Sequence, residues 1–440
     1  MTHRRNRGGG GLSDQVLEGT ELDTYVGRSK DREQVTGEGG MRMKVYDTVT
    51  ACEGGGAWEA IRDKGNPWTD LSFLKATEEA GVVPCQHRYF EFRQDGQTVL
   101  TMSGAVLIND LVMFGGEGVK KAAGLVRKLA PSFLRPKTLE IGPLLGLGTS
   151  ISQSAEATPA TRLEAVKAIQ GYAREQEIDL VVVRDFRGAR GAMEGALEEA
   201  GFRALFNLPV AQMEIAWDTF EEYERALKHR FANNMRRNMK KKREHGIRSV
   251  VTRDGLGMLE RQLRLYENVR SRSPRFSRDA IGEAHYRAMV KHFGRHCFWL
   301  QYFLGETLVA YMQFLRYGKL LVAQYVGMDY DVARRAGLYF NSYYDLVRLA
   351  IEQGLGTVDM GLTTYEAKSA AGFSVLPQVM YVWTPNRMLL TTAAVMWKRM
   401  THYEIERCHH AFKDEKYQTI WDGRTSDGSE WTEAAGTQGD

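Results

Sequence analysis

Two segments decide the fold: ARRAGLYF at Ala333–Phe340 and DMGLTTYEAKSAAGF at Asp359–Phe373. In the first, Arg334 and Arg335 precede Gly337, which we expect to open the following helix. Free backbone N–H groups, the helix dipole and two guanidinium charges would then meet at one place. The segment therefore predicts a binding site for a phosphate or a pyrophosphate. An arginine-rich loop before an amphipathic helix is also a common surface feature, so a purely structural role stays open.

The second segment begins at the end of a predicted strand, Thr357–Gly361, which closes with a carboxylate and a glycine. Tyr365 and Lys368 follow within ten residues of Asp359, and a Gly-Phe step comes after them. Binding sites of open α/β sheets form at the ends of strands. We therefore expect this polar cluster to form part of a site, with a capping or salt-bridged Asp359 as the structural alternative.

A strongly basic helix is predicted near the middle of the chain, at LKHRFANNMRRNMKKKREHGI. Its apolar residues recur at a spacing of four and form one stripe, and cations occupy the other faces. The predicted phosphate-binding or nucleic-acid-binding residues are Arg230, Arg236, Arg237, Lys240, Lys241, Lys242 and Arg243. Few acidic residues stand four positions away to pair with them. An RNA backbone, coenzyme A and an anionic lipid headgroup all offer phosphates to such a surface, and a solvated helix face is the alternative.

The order of these motifs resembles the GNAT-like acyltransferases of the Fem type. The motifs are the basic helix, R-x-x-G-L, a helix, D-x-G, Y-x-x-K and G-F. This group contains the peptidoglycan-bridge aminoacyltransferases and their tandem-domain relatives. The resemblance covers roughly residues 66–383 and implies an α+β fold of two tandem GNAT-like domains, each a mixed central sheet flanked by helices. Tyr339 departs from the small residue of the usual acetyl-CoA loop, and the long coiled-coil arm of some relatives is missing.

Acyl transfer to an amine needs a held donor, a polarised carbonyl and removal of a proton. We expect Asp359 to accept or orient the amine proton and Tyr365 to donate a proton to the leaving group. Lys368 would stabilise the developing negative charge or bind a phosphate, because the resemblance implies that the Y-x-x-K position lies at the site. The sequence contains no G-x-S-x-G motif and no Cys/His pair in a nucleophile context, which favours direct transfer.

The composition is that of an ordinary globular protein, with 43% hydrophobic and 26% charged residues and a net charge of +4. The four cysteines show no metal-ligand or disulfide spacing, so we expect no metal site and a reducing compartment. The sequence contains no apolar run of transmembrane length and no secretory signal pattern, which predicts a cytoplasmic protein. Peripheral contact with a membrane stays open.

The chain length predicts two folded units with tails. We assign residues 1–45 to a disordered Gly- and Arg-rich tail, 56–218 and 219–385 to two GNAT-like domains, and 386–440 to a terminal helix and a disordered tail. Both units show a helix, a strand ending in an acidic residue and a Gly-Phe step. The glycines of IGPLLGLGTS favour a flexible loop over a phosphate loop, because no Lys-Ser/Thr follows them.

The donor stays open between aminoacyl-tRNA and acyl-CoA, and no tightly bound cofactor is expected. An aminoacyl-tRNA would use the basic helix, whereas acyl-CoA would use the turn formed by Arg334, Arg335 and Gly337. The partner in either reaction is an acceptor that bears an amine. The competing hypothesis is a non-catalytic protein that binds RNA or a membrane surface.

Overall fold

The computed structural model describes residues 32–36, 40–54, 56–112, 117–188, 190–272, 281–386, 390 and 407–421. Its strands are β1 (Arg32–Thr36), β2 (Met41–Tyr46), β3 (Gln86–Gln94), β4 (Gln97–Ile108), β5 (Lys137–Ile141), β6 (Ile151–Gln153), β7 (Leu180–Arg187), β8 (Arg203–Glu214), β9 (Ile247–Thr252), β10 (Cys297–Leu304), β11 (Thr307–Tyr317), β12 (Leu320–Met328), β13 (Thr357–Asp359) and β14 (Ser374–Trp383).

Its α-helices are α1 (Val49–Glu53), α2 (Ala57–Ile61), α3 (Leu71–Ala80), α4 (Glu117–Val126), α5 (Pro159–Glu175), α6 (Ala192–Glu199), α7 (Phe220–Ala226), α8 (His229–Glu244), α9 (Leu259–Arg270), α10 (Glu283–Phe293), α11 (Tyr330–Ala336), α12 (Leu338–Glu352) and α13 (Tyr365–Ala370). Short 3-10 helices lie at Pro67–Thr69 and Glu415–Tyr417. The predicted α+β class is confirmed.

All fourteen strands belong to one mixed sheet with the order β1-β2-β3-β4-β5-β7-β14-β8-β13-β12-β11-β10-β9, and β6 pairs with β4. Two neighbouring pairs, β5 with β7 and β12 with β13, are parallel, and the other pairs are antiparallel. Each half of the chain contributes its own mixed set of strands, as the tandem GNAT-like fold predicts. The two sets join edge to edge and form a single sheet.

The last strands of the two halves change places in this sheet. β8 ends the first half but pairs with β13 of the second, whereas β14 ends the second half and pairs with β7 of the first. β8 and β14 also pair with each other. The centre of the sheet is therefore built from both halves, so the hydrogen bonds of one half depend on the other.

A Gly-Phe step precedes each of these exchanged strands. Gly201 and Gly372 both have left-handed backbones, with φ of 83° and 92°. The following N–H of Phe202 donates to the carbonyl of Leu197, and that of Phe373 donates to the carbonyl of Lys368. Both bonds reach back to the last turn of the preceding helix and satisfy one of its free carbonyls. The Gly-Phe step noted in both halves thus ends a helix and leads into a strand in each.

The start of the chain requires a correction. β2 begins at Met41, so the predicted disordered tail does not reach residue 45. Met41, Met43 and Val45 alternate along the strand and are buried at 2% exposure or less, which explains why this segment folds. β1 also lies within the predicted tail and contradicts it, and the other residues of that prediction lie almost entirely outside the described ones. The predicted terminal helix falls largely on residues 387–406, also outside them, and the described residues 407–421 contain no α-helix.

Candidate active site

A cleft opens in the second half where two parallel strands part. Leu320, Leu321 and Val322 of β12 pair with β13, which then ends at Asp359, whereas β12 continues to Met328. No described strand pairs with β12 on that side beyond Val322. Residues 323–326 are only half-buried although their strand lies inside the sheet. This stretch of an inner strand is therefore partly exposed beside the end of β13.

A β-bulge shapes the wall of this cleft. Gln313 of β11 pairs with Tyr325 and Phe314 pairs with Ala323, so Gln324 has no partner residue across the ladder. Its side-chain oxygen is buried and accepts no hydrogen bond from the described residues. Bulges re-aim side chains and are common beside active sites. Gln324 is thus a candidate binding residue that the sequence did not indicate.

Behind the cleft wall lies a buried histidine. His285 of α10 is fully buried, its ring lies 5.1 Å from that of Tyr325, and its Nε2 lies 3.3 Å from Oε1 of Gln313. Its Nδ1 has no hydrogen-bond partner among the described residues. Burial lowers the pKa of His285 to about 4, although the contact with Gln313 opposes this shift. The imidazole is therefore neutral near neutral pH.

The loop that leaves β13 forms the opposite wall and has a strained backbone. Gly361, Thr363 and Thr364 all have left-handed conformations, with φ of 66°, 63° and 52°. Such a conformation is unfavourable for a threonine because its side chain is β-branched. Strained backbones of this kind cluster at functional sites. Residues 360–364 are named the β13 loop below.

Asp359 and Lys368 hold the β13 loop in place. Asp359 Oδ1 accepts a hydrogen bond of 2.8 Å from the N–H of Gly361. Lys368 Nζ donates to the carbonyls of Met360 at 2.7 Å and Leu362 at 2.6 Å. Burial lowers the pKa of the Lys368 ammonium to about 7, and the Asp359 carboxylate opposes this shift. The predicted polar cluster is therefore real, but its polar groups bind the protein's own backbone.

A residue of the first half completes this cluster. Arg187, on β7, contacts the other carboxylate oxygen of Asp359 at 2.6 Å, and its remaining nitrogens donate to Gln378 and to the carbonyl of Leu147. Asp359 is 3% exposed, so this ion pair is almost shielded from water. The exchange of β8 and β14 brings β7 close enough to β13 for this contact. No sequence pattern pointed to Arg187, because its partner lies 172 residues away.

The predicted catalytic residues lie together but turn inward. Tyr365 is 5% exposed and its hydroxyl donates to the carbonyl of Pro209 at 2.7 Å. Lys368 is 4% exposed and Asp359 is ion-paired. In this arrangement the three groups support the β13 loop and do not line the open part of the cleft. Their catalytic roles stay a prediction.

The predicted anion-binding turn differs from the expected one. Arg334 and Arg335 do not precede a helix in a loop; they form the last turn of α11, and Gly337 joins α11 to α12 with a φ of 64°. Both arginines are exposed, and no side chain caps the N-terminus of α12. The short helix forms because Asp329 caps its start, accepting a hydrogen bond from the N–H of Asp331.

This junction packs against the basic helix α8. A Cβ atom on Gly337 would lie 2.6 Å from Oδ1 of Asn238, and Asn341 donates to the carbonyl of Asn238 at 2.9 Å. The start of α12 and the middle of α8 are therefore in direct contact. Because α11 follows the C-terminal end of β12, both lie at the open end of the cleft.

Some of the basic residues of α8 are paired and others are not. Lys242 contacts Asp345 at 2.6 Å and is largely buried, Arg236 pairs with Glu224, and Lys240 pairs with Glu244. Three of the seven predicted phosphate-binding residues therefore have acidic partners that the sequence spacing underestimated. No described acidic side chain pairs with the other four, which are Arg230, Arg237, Lys241 and Arg243.

In the first half, the corresponding opening is filled by the protein itself. β5 and β7 part after Ile141 and Val183, as β12 and β13 do. The following loop returns across the gap, and the N–H of Gly148 donates to Asp185. Cβ atoms on Gly146 and Gly148 would lie 2.5 and 2.6 Å from the ring of Trp68. The glycines thus allow tight packing, and the open cleft belongs to the second half.

Comparison with known families agrees with this location. Residues 229–369 match the sequence model of the acetyltransferase (GNAT) domain. This part of the chain is a GNAT-type acyltransferase domain. The GNAT domain includes α8, the cleft between β12 and β13, the α11–α12 junction and the β13 loop. The match supports an acyltransferase over the non-catalytic hypothesis. A search of curated proteins found no match.

The crystal structure of FemX is similar over 79% of this chain and 98% of its own, with 11% sequence identity and a TM-score of 0.52. L-PGS from Bacillus licheniformis covers 78% of this chain and 99% of its own, with 14% identity and a TM-score of 0.43. A tandem GNAT protein from the clavulanic acid biosynthesis pathway covers 79% and 99%, with 12% identity and a TM-score of 0.43. The likeness to FemX concerns the fold and extends beyond the GNAT domain, so the Fem-type, GNAT-like fold includes both halves.

Among the described residues, neither a metal-binding cluster nor a membrane-spanning helix is found. They contain no group of three or more His, Cys, Asp or Glu side chains that could hold a metal ion. Every helix among them is too short or too polar to cross a membrane.

Proposed function

We propose that the protein is an N-acyltransferase that transfers an aminoacyl group from aminoacyl-tRNA to an amine. The observation that carries this proposal is the open cleft between β12 and β13 in the GNAT domain, with the α11–α12 junction and the unpaired cations of α8 at its open end. The cleft accepts the reacting acyl group, and the basic surface accepts the phosphates of the donor.

The reaction proceeds by direct attack. The acceptor amine attacks the donor carbonyl, a carbon–nitrogen bond forms, and the ester bond to the ribose oxygen breaks. The amine loses a proton and the ribose oxygen gains one, so atoms and charge balance without a further reactant. Backbone N–H groups along the unpaired side of β12 stabilise the negative charge on the carbonyl oxygen.

Two features favour an RNA donor. The basic helix has 16 residues and spans about 24 Å, which exceeds the extent of a single pyrophosphate. Tyr339, half-buried at the start of α12, packs with its ring 5.2 Å from that of Tyr343 and occupies the place of a small residue in the usual acetyl-CoA loop. Acyl-CoA is the alternative donor, because the exposed Arg334 and Arg335 beside the start of α12 suit a pyrophosphate.

For the predicted catalytic residues, the contacts support positioning roles. Asp359 and Lys368 hold the β13 loop beside the cleft. Tyr365 connects α13, the helix after this loop, to β8. We expect Asp359→Asn and Lys368→Met to lower kcat while KM for the donor changes little, because the donor phosphates bind elsewhere. A rise in KM with unchanged kcat would contradict this assignment.

The decisive experiment measures binding of charged tRNA, uncharged tRNA and coenzyme A to the full-length protein at two salt concentrations. We expect salt-sensitive binding of charged tRNA, weakened about tenfold in Arg237→Glu/Lys241→Glu because two phosphate contacts are lost. Arg264→Glu is the matched control, since Arg264 is exposed on α9 and already pairs with Glu260. Tight coenzyme A binding without RNA binding would instead identify acyl-CoA as the donor.

A further inference from the structure

The first half contains an insertion that its fold does not require. β4 and β5 are joined by residues 109–136, whereas the equivalent strands of the second half, β11 and β12, are joined by Gly318 and Lys319 alone. Both pairs are antiparallel neighbours in the same sheet. A two-residue turn suffices for this connection, so the sheet itself does not require the longer one. The described residues of this connection, 109–112 and 117–136, are named the β4–β5 insertion.

The β4–β5 insertion exposes large apolar side chains. Leu125 is 66% exposed, Leu129 93% and Phe133 40%, and Val126 beside them is 41% exposed. These are four of the seven large hydrophobic residues that the described part of the chain exposes, and they lie within nine positions. The other three are scattered over the second half. An apolar patch of this kind on a folded surface indicates a contact with another apolar phase.

Basic residues surround this apolar patch. Lys120, Lys121 and Lys128 are exposed, whereas Arg127 and Arg135 are partly exposed and pair with Asp110; no acidic residue occurs from 118 to 135. Exposed leucine, valine and phenylalanine with lysines beside them form the pattern of a segment that lies in a membrane interface. A second copy of the chain would bring these like charges together, which disfavours self-association at this surface.

The β4–β5 insertion is firmly attached to the sheet. Arg127 contacts Asp110 at 2.7 Å and also donates to the carbonyl of Phe133. The N–H of Leu111 donates to the carbonyl of Leu134 at 3.0 Å. The base of the insertion is thus closed by hydrogen bonds, so the exposed patch is presented in a defined position and no folding step is needed to form it.

The strand directions place the patch and the cleft at the same end of the strands of the sheet. The pairings run from β5 through β7, β14, β8 and β13 to β12. They make β12 antiparallel to β5, so the N-terminal end of β5 points the same way as the C-terminal end of β12. Five inter-strand steps separate them, about 24 Å at the usual strand spacing. The patch and the cleft therefore lie at corresponding ends of their strands.

We propose that the β4–β5 insertion docks the protein on an anionic lipid bilayer, with Leu125, Leu129 and Phe133 entering the interface and the lysines contacting lipid phosphates. This proposal is independent of the donor. It concerns a surface distinct from the basic helix, which faces the open end of the cleft.

The test is sedimentation of the full-length protein with vesicles of phosphatidylcholine alone or with added phosphatidylglycerol, at low and high salt. We expect binding only to the anionic vesicles, weakened at high salt. Leu129→Ser/Phe133→Ser should weaken this binding about tenfold, because two side chains lose the apolar area that they would bury in the membrane interface. Lys121→Glu/Lys128→Glu should weaken it similarly, by removing two charges.

Two control variants separate this surface from others. Met258→Ser/Leu304→Ser removes exposed apolar residues of the second half, and Arg237→Glu/Lys241→Glu removes charge from α8; both should bind vesicles like the unaltered protein. Vesicle binding that is lost in the α8 variant and kept in the insertion variants would overturn the proposal. Absence of vesicle binding would also overturn it, as would a concentration-dependent dimer that Leu129→Ser/Phe133→Ser abolishes.

Discussion

At the scale of single residues, the site is organised by a buried ion pair between the two halves. Asp359 is almost fully buried and Arg187 is partly buried, and both also hydrogen-bond to backbone or side-chain groups of the cluster. A buried charge that loses its partner remains desolvated and uncompensated. The pair therefore couples the stability of the two halves, and its removal has a larger effect than the loss of a surface ion pair.

We predict that Arg187→Met lowers the free energy of unfolding by about 3 kcal/mol, because it leaves the Asp359 carboxylate buried without its partner. In Asp359→Asn the same arginine substitution should cost clearly less, since no charge remains to be compensated. Urea unfolding of the two single variants and the double variant measures this coupling. Equal costs in both backgrounds would show that the two side chains are energetically independent.

The buried His285 predicts a loss of stability in acid. Its pKa of about 4 in the folded protein lies below its ordinary value of 6.5, so the unfolded chain binds the proton first as the pH falls. Its contribution is therefore complete above pH 6.5 and is lost as the pH falls to 4, by about 1.4 kcal/mol per pH unit.

Urea unfolding at pH 7, 6 and 5 of the unaltered protein and of His285→Gln tests this prediction. The variant should lose less stability over this range, because one of the neutral buried imidazoles is gone. Burial also lowers the pKa of His87 to about 4, so part of the pH dependence should remain. Parallel curves for the two proteins would rule out a contribution from His285.

At the scale of elements, the junction of α11 and α12 depends on a glycine for two separate reasons. Gly337 has a left-handed backbone, and it also lies against the amide of Asn238 on α8. The backbone conformation alone costs about 1 kcal/mol for a residue with a side chain. The close contact with Asn238 adds a second cost to the free energy of folding, which a side chain in an unobstructed turn would not incur.

We predict that Gly337→Ala lowers the free energy of unfolding by about 2 kcal/mol, whereas Gly318→Ala costs about 1 kcal/mol. Gly318 is the matched control, because its φ of 56° is similar and a Cβ there meets nothing within 4 Å. Chemical denaturation measures both values. If Asn238→Ala reduces the cost of Gly337→Ala to that of the control, the contact with α8 is confirmed; unchanged costs would refute it.

At the scale of the whole molecule, the exchange of β8 and β14 makes the two halves one folding unit. Trp68 lies in the first half and Trp299 in the second, and both are buried. We predict a single unfolding transition in which tryptophan fluorescence and far-UV circular dichroism coincide. Residues 1–218 and 219–440 expressed separately should fail to fold, because each lacks a central strand. Two resolved transitions would contradict this arrangement.

Much of the local structure could be predicted from the sequence. The pattern of residues 71–80 and 283–293 is helical, because apolar residues recur at helical spacing along α3 and α10; Asp70 also caps the start of α3. The helix α11 was not expected, because its seven residues are too few to show a period. β2 was missed because its alternating methionines and valine stand beside a Gly-rich tail.

For the site, the sequence identified the correct region but not the functions of its members. The position of Asp359, Lys368 and Tyr365 just after a predicted strand indicates a polar cluster, and the three residues do lie together. Two of their hydrogen-bond partners, the carbonyl of Pro209 and the guanidinium of Arg187, lie 156 and 172 residues away, so the sequence cannot place them nearby. The bulge at Gln324 was also undetectable, since it depends on how β12 aligns with β11.

The sequence alone determined the α+β class, the repetition of helix, strand and Gly-Phe step in both halves, and the basic helix. These features depend on residues that are close along the chain, where periodicity and turn chemistry act directly. Only the tertiary structure decided that the halves share one sheet, that the first opening is filled while the second stays open, and that Arg187 reaches Asp359. Those outcomes depend on contacts between distant residues, whose geometry exists only once both halves have packed together.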